Sequence, residues 1–195
     1  NIIWRSRKEM FQTAFWHAFY YLLPIDKYGK EHPDWYPLID GKRFINPPNK
    51  TAGWQFCFSS PGLVDALAKA IVENAISNHH SIESVSVNDG GGYCQCDLCK
   101  SLDKGVDESG NPILTDRLIA FYNKIAEKVA QFAPDLKLGV YMYHYGAHTP
   151  VYEIKVHPNI VIGLVHNSIS VVFGHTNASK FMFDQISNWS KIAPD

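Results

Sequence analysis

The sequence predicts an α/β fold built on a parallel sheet. Two observations carry this. From Trp54 onward, short β-branched runs alternate with segments whose apolar residues recur at helical spacing, and repeated strand–helix order calls for right-handed crossovers between parallel strands. One run, Asn159 to His166, is apolar almost throughout, as a strand covered on both faces should be.

Taken in order, residues 1–53 read as an irregular region rich in aromatic side chains. Pro24, His32-Pro33, Trp35-Tyr36-Pro37 and Asn46-Pro47-Pro48 mark loops, and Asp40-Gly41 is a tight-turn signal. Long aromatic loops beside a parallel sheet commonly serve a site. Gln55 to Phe58 is a short strand candidate. Ser59-Ser60-Pro61 then offers an N-cap and a first-turn proline to a helix with Leu63, Leu67, Ala70, Ile71 and Ala75 on one face. Val85 and Val87 alternate with serines as in a strand, which ends in Asn88-Asp89 and three glycines that free the backbone to turn. After a polar loop through Gly110, Thr115 is placed to cap a second helix, whose stripe is Leu118, Tyr122, Ile125, Val129 and Phe132; Pro134-Asp135 stops it. Lys137 to His144 and Asn159 to His166 are two further strands. Between them Gly146 to Pro158 reads as an extended connection, and a last amphipathic helix runs from about Ser179 to Ile192.

Composition narrows the function classes. The chain has 195 residues, 46% of them hydrophobic and 19% charged, enough for a buried core, and one domain spanning 1–195 is the expectation. With a net charge of −1 and scattered Lys and Arg there is no electrostatic footprint for nucleic acid. The longest apolar run falls well short of the roughly 20 residues that span a bilayer. Neutral small molecules, sugars or proteins are the better partners. The first residue is Asn rather than Met, which points to a processed chain or a piece of a longer one.

Several stretches together resemble one family. They are Phe15-Trp-His-Ala-Phe-Tyr-Tyr-Leu-Leu-Pro24 with His32-Pro-Asp-Trp-Tyr36 and Asp40-Gly-Lys-Arg43, then Trp54-Gln-Phe-Cys-Phe-Ser-Ser-Pro61, Val85 to Cys99, and Asp116-Arg117 with Phe121 and Asn123. The family is domain of unknown function 4838, a glycoside-hydrolase-like TIM barrel of large bacterial proteins associated with polysaccharide use and distantly similar to β-hexosaminidases and α-glucuronidases. The resemblance covers most of residues 15–167. It implies a parallel (β/α) TIM-barrel-like fold with the active site at the carboxyl ends of the strands. Because such a barrel takes ~250 residues and about four strands are clear here, the expectation is a partial barrel or the central segment of a larger chain. The resemblance also implies a secreted, periplasmic or cell-surface protein that acts on carbohydrate.

Asp89 is the first catalytic candidate, since a carboxylate at a strand end can protonate a departing glycosidic oxygen; the competing role is an Asx-type turn that organises the glycines. Hexosaminidases carry an Asp-Glu pair at a similar strand end, whereas Gly90 follows Asp89 here, and no partner carboxylate stands out. His17 matches the family's histidine at this place and is expected to bind a sugar hydroxyl or to be satisfied within the core. Asn88, Tyr143, His144, His166 and Asn167 stand at strand ends as substrate-binding candidates. Arg43, like Arg117, is a candidate clamp for a uronate carboxylate, or holds a loop. Trp35, Tyr36 and Trp54 are candidates for a stacking platform, although aromatics beside prolines more often close loops. His79-His80 is expected to carry no chemistry.

Cys57, Cys94, Cys96 and Cys99 are the metal-ligand candidates, because two short spacings and a remote thiolate allow a closed tetrahedral zinc site of structural type; a disulfide pair, free buried thiols and a mixed arrangement remain open. No cofactor is expected for catalysis. Three functions follow: hydrolysis of glycosidic bonds, noncatalytic carbohydrate binding, and a zinc-stabilised interaction domain.

Overall fold

A computed structural model describes residues 15–107, 110–142, 148–151, 154–165 and 176–193. In the aromatic region the prolines and a tight turn limit regular structure to short pieces. These are the helical turns α1 (Phe19–Leu22) and α2 (Ile25–Tyr28), the 3-10 turn Pro33–Trp35, and the hairpin β1 (Leu38–Ile39) and β2 (Lys42–Arg43). Asp40 and Gly41 both take positive φ, 48° and 76°. That combination gives the type I′ turn favoured by right-twisted hairpins, and it pairs Leu38 with Arg43 and Ile39 with Lys42.

Trp54 to Cys57 is extended but joins no ladder, contrary to the strand expected from Gln55 to Phe58. Its amides are divided between neighbours. Gly53 donates to Asp89 O at 2.8 Å, Gln55 to Gly92 O at 3.1 Å and Cys57 to Trp35 O at 2.8 Å. Helix α3 (Leu63–Asn78) buries Leu63, Leu67, Ala68, Ile71 and Ala75. Its N-cap position is Gly62 at φ 75°, and the Ser60 hydroxyl donates instead to Asp34 Oδ2 at 2.5 Å. The helix ends on His79 at φ 54°, with the His80 amide reaching back to Ala75 O at 2.9 Å, a Schellman-like cap in which histidine occupies the usual glycine place.

Strand β3 (Ile82–Ser84) follows, then α4 (Asp97–Lys100), α5 (Thr115–Ala130), β4 (Lys137–Met142), β5 (Ile160–Leu164) and α6 (Thr176–Trp189). In α5 the stripe Leu118, Tyr122, Ile125 and Val129 is buried as expected. Phe132 is 68% exposed, because the helix has already ended and its periodicity no longer aims the side chain at the core. Thr115 is a helical residue rather than the cap, and its hydroxyl donates to His148 O at 2.8 Å.

The sheet is parallel, in order β3-β4-β5, with Ser84 opposite Gly139 and Gly139 opposite Val161. On its flank α3 packs against α5, and an aromatic cluster fills the space between α1 and α5, with Phe58 stacked on Phe121 at 4.4 Å and Phe19 against Phe56 at 4.9 Å. Tyr122 reaches from α5 to accept the Val87 amide at 3.2 Å.

The described residues do not form the TIM-barrel-like fold, whole or partial, that was expected. The described residues make a mixed α/β structure with one three-stranded parallel sheet and one two-stranded antiparallel sheet, and no closed barrel. Outside these strands the segments before α3 make two isolated parallel bridges, His17 to Ser86 and Ala52 to Asp89. In β5 only Ile160 is fully buried, so that strand is not covered on both faces as its apolar run predicted. No described helix is long and apolar enough to cross a membrane.

Replacing Tyr122 with Phe keeps the ring but leaves the buried Val87 amide without its acceptor. Denaturant unfolding should show a loss of about 1–3 kcal/mol with an unchanged slope; an unaltered midpoint would show that this bond contributes nothing.

Candidate functional site

The chain leaves β3 through Val85 to Asn88, all buried, and then turns outward at Asp89. Gly90 and Gly92 take φ of 84° and 75°. At Gly92 a side chain is also excluded by space, since a Cβ there would lie 2.3 Å from Gly53 O. The two backbones touch, and glycine is what lets them.

Gln55 holds this turn. Fully buried, it accepts the Asn88 amide on Oε1 at 2.9 Å and donates from Nε2 to Asn88 O at 2.8 Å and Gly91 O at 3.2 Å. Asn88 returns the favour to the other segment. Its Nδ2 donates to Trp54 O at 2.9 Å and its Oδ1 accepts the Tyr20 amide at 2.7 Å. The Asn88 side chain, expected to face substrate, is therefore buried and engaged by the chain at both ends. Gln55 is the residue that sequence reasoning missed. Its signal was a lone amide inside the apolar run Trp54-Gln55-Phe56-Cys57-Phe58, where a polar group must find partners or cost stability.

Asp89 and His17 lie side by side. The Asp89 side chain is 67% exposed, and its Oδ1 lies 3.8 Å from His17 Nε2 while accepting the Gly90 amide at 2.9 Å. The carboxylate is thus open to solvent and bonded to the amide of the next residue, rather than to the amide two residues on that an Asx turn uses. His17 Nδ1 stands 2.7 Å from Val87 O. A carbonyl only accepts, so Nδ1 carries the proton and Nε2 faces Asp89. The ring rests edge-on against Tyr141, at 5.8 Å, and the Tyr141 hydroxyl donates to Phe15 O at 2.6 Å. Tyr141, in β4, is a second contact the sequence did not single out. Tyr143, His144, His166 and Asn167 lie outside the described residues.

The four cysteines converge in a separate cluster. The sulfurs of Cys57, Cys94, Cys96 and Cys99 all lie within 4.8 Å of one another and can hold a metal ion. Cys57 Sγ is 3.8 Å from Cys96 Sγ and 4.0 Å from Cys99 Sγ. Bonds of ~2.3 Å to a tetrahedral ion would set sulfurs about 3.8 Å apart, which the distances from Cys57 to Cys96 and Cys99 already approach, so the donor set fits such an ion. All four are free of disulfides, and three are buried. Hydrogen bonds from Cys94 and Cys99 hold the Cys57 thiol far below its ordinary pKa, while the bond to Cys57 pushes Cys99 up, as when one thiolate is shared by protonated neighbours. The Leu38 amide donates to Cys94 Sγ at 3.3 Å, and the Ser59 hydroxyl lies 3.3 Å from both Cys96 and Cys99 sulfurs.

Arg43 is engaged by backbone carbonyls. Its Nη1 donates to Tyr36 O at 2.8 Å and Asp34 O at 3.2 Å. Burial works against its charge, but the combined influence of Cys57, Cys94 and Cys96 more than offsets that and raises the guanidinium pKa. Arg117 is buried, paired through Nε and Nη2 with both oxygens of Asp103, and donates to Cys94 O at 3.0 Å, so it anchors the cysteine loop to α5. Tyr36 and Trp54 are fully buried, with the Tyr36 hydroxyl on Leu23 O at 3.1 Å, and Trp35 stacks on His32 at 3.9 Å; these rings close loops and form no platform. His80 Nδ1 pairs with buried Glu83 at 2.8 Å.

A family model described as "Domain of unknown function (DUF4838)" matches residues 3–195. No curated protein and no solved structure matches the chain.

Gln55→Ala should lower stability by about 3 kcal/mol, because it strips several buried backbone groups of partners at once. Asp89→Asn, at an exposed side chain, should stay within about 1 kcal/mol of the parent. Thermal unfolding of the two variants side by side checks the contrast, and equal losses would refute it.

Proposed function

The chain belongs to the family of domain of unknown function 4838, and from that premise we propose that it is a carbohydrate-active protein that hydrolyses glycosidic bonds of a polysaccharide or oligosaccharide. The observation that carries this reading is the Asp89–His17 pair: an exposed carboxylate at 3.8 Å from a histidine nitrogen, on the turn that follows the carboxyl end of a parallel strand. Open α/β sheets bind ligands at that end. In this reading the Asp89 carboxyl gives its proton to the departing glycosidic oxygen, a water adds to the anomeric carbon, and the proton released from water restores the pair. His17 Nε2 shares and orients that proton, with the ring fixed by Val87 O and Tyr141. Tyr143-His144 and His166-Asn167 follow β4 and β5 within a few residues in the sequence and are proposed to complete the substrate contacts. A polysaccharide substrate implies a secreted, periplasmic or cell-surface protein.

A second reading, noncatalytic carbohydrate binding, is favoured by how other acids of the body are used. Asp103 is bound by Arg117, Glu83 by Asn74 and His80, and Asp116 accepts the Val151 amide at 2.9 Å, so each already serves the protein. Glycosidases usually act through two carboxyl groups.

In the same proposal the four-thiolate centre holds a zinc ion. Zinc suits four soft thiolates in tetrahedral array, and such a closed site has no open position for substrate, so the ion is structural and takes no part in the reaction. A zinc-stabilised interaction domain shares this feature and differs in having no glycan ligand.

Reducing-sugar release from a broad glycan panel is expected with the intact protein. Asp89→Asn should lower turnover about 10²- to 10⁴-fold with glycan affinity nearly unchanged. Binding without release by the parent would favour the noncatalytic reading, and neither binding nor release would sink the carbohydrate assignment. Separately, elemental analysis should find one zinc per chain, and a strong chelator should lower the melting temperature; a metal-free protein of equal stability would exclude structural zinc.

A further inference from the structure

Exposure divides the four thiols unequally. Cys57, Cys94 and Cys99 are no more than 2% exposed, whereas Cys96 is half-buried, so a reagent arriving from solvent meets Cys96 first. The Cys57 sulfur lies 3.8 Å from it, at van der Waals contact, and the Ser59 hydroxyl at 3.3 Å offers a hydrogen bond to an oxygen added there. The segments that carry this pair are held independently of the sulfurs. The Gln55 and Cys57 amides donate to Gly92 O and Trp35 O, the Cys94 carbonyl accepts from Arg117, and the Gln95 amide donates to Leu38 O at 2.8 Å. Closing the contact from 3.8 Å to the ~2.05 Å of a disulfide asks for a movement of about 1.7 Å between the two sulfurs. Susceptibility of a thiol to oxidation follows its access to solvent, and oxidation becomes reversible where a second thiol stands close enough to resolve it.

We propose that Cys96 is an oxidant-sensing thiol and Cys57 its resolving partner, so that a hydroperoxide converts the metal-binding centre into a Cys57–Cys96 disulfide that no longer holds zinc. In the first step the Cys96 sulfur attacks the peroxide. An S–O bond forms, the O–O bond breaks, and the hydroxide that leaves takes the thiol proton as water. In the second the Cys57 sulfur attacks the sulfenic acid on Cys96. An S–S bond forms, the S–O bond breaks, and a second water departs with the Cys57 proton. Two thiols are oxidised and one peroxide is reduced to two waters. Where zinc is bound, solvent supplies both protons and the ion leaves, since Cys94 and Cys99 alone fill only half of a tetrahedral site. Release of the ion rests on the zinc reading above; the thiol chemistry does not.

The test treats the full chain with hydrogen peroxide, follows zinc with a chromophoric chelator, and maps the cysteines by mass spectrometry after alkylation. The first disulfide should join Cys57 to Cys96 with Cys94 and Cys99 still alkylated, and one zinc should leave per disulfide. Dithiothreitol with added zinc should restore both the thiols and the bound ion. Cys96→Ser removes the exposed thiol and should slow oxidation of the other three by about tenfold. A first disulfide between any other pair, equal oxidation rates in Cys96→Ser and the parent, or parent thiols that outlast free glutathione under the same peroxide would overturn the proposal. If Cys96→Ser does not fold, the disulfide map of the parent decides alone. A parent chain without stoichiometric zinc would overturn the zinc reading, with the disulfide map still deciding the role of Cys96. A zinc-loaded parent whose Cys57–Cys96 pair stays reduced would overturn only that role.

Discussion

The exchange of hydrogen bonds between Gln55 and Asn88 is the constraint on which the rest of the structure depends. Two fully buried amides from different segments satisfy each other's neighbouring backbone rather than simply each other. Such a network is stable only when complete, since a single unmet partner in that interior costs more than the bond itself contributed. Its completion fixes the extended Trp54–Cys57 segment against the exit of β3. From that one junction the chain sends Asp89 outward toward His17 and carries Cys57 toward Cys94, Cys96 and Cys99.

Two further ties hold the cysteine loop. Arg117 bonds Asp103 and the Cys94 carbonyl from within α5, and the hairpin bonds Cys94 and Gln95 through Leu38 and Asp40. Among its described residues the loop between β3 and α5 carries little regular structure, only the single turn of α4, so its order comes from these polar anchors and from the convergence of sulfur atoms. That explains how a segment with three closely spaced glycines can still present Asp89 in one position.

Much of this was legible in the sequence, and for physical reasons. The stripes of α3 and α5, the strands β4 and β5, and the Asp40-Gly41 turn follow from local periodicity and turn chemistry, which a short window of residues contains. The meeting of four cysteines and of His17 with Asp89 was legible only as a set of candidates, because proximity across tens of residues depends on the fold. The barrel was misread: an extended run such as Gln55 to Phe58 looks like a strand whether its amides face one neighbour or several, and only the partners decide. Asn88 was misread similarly, since a polar residue at a strand end can point at solvent or at its own backbone. Ser60 and Thr115 had the right chemistry for caps, yet Asp34 and the His148 carbonyl took their hydroxyls.

The separation of Gln55 and Asn88 from Asp89 and His17 has a consequence for how such a protein can diversify. The residues that shape the turn look inward, and the pair that would meet a ligand looks outward, although Asn88 and Asp89 are neighbours in the chain. Substitution at the outward positions leaves the inward network whole, so specificity can drift across descendants without each step passing through an unfolded ancestor. Change at Gln55 has no such freedom, and lineages that keep the turn should keep that amide while the exposed carboxylate and imidazole are exchanged for other chemistry.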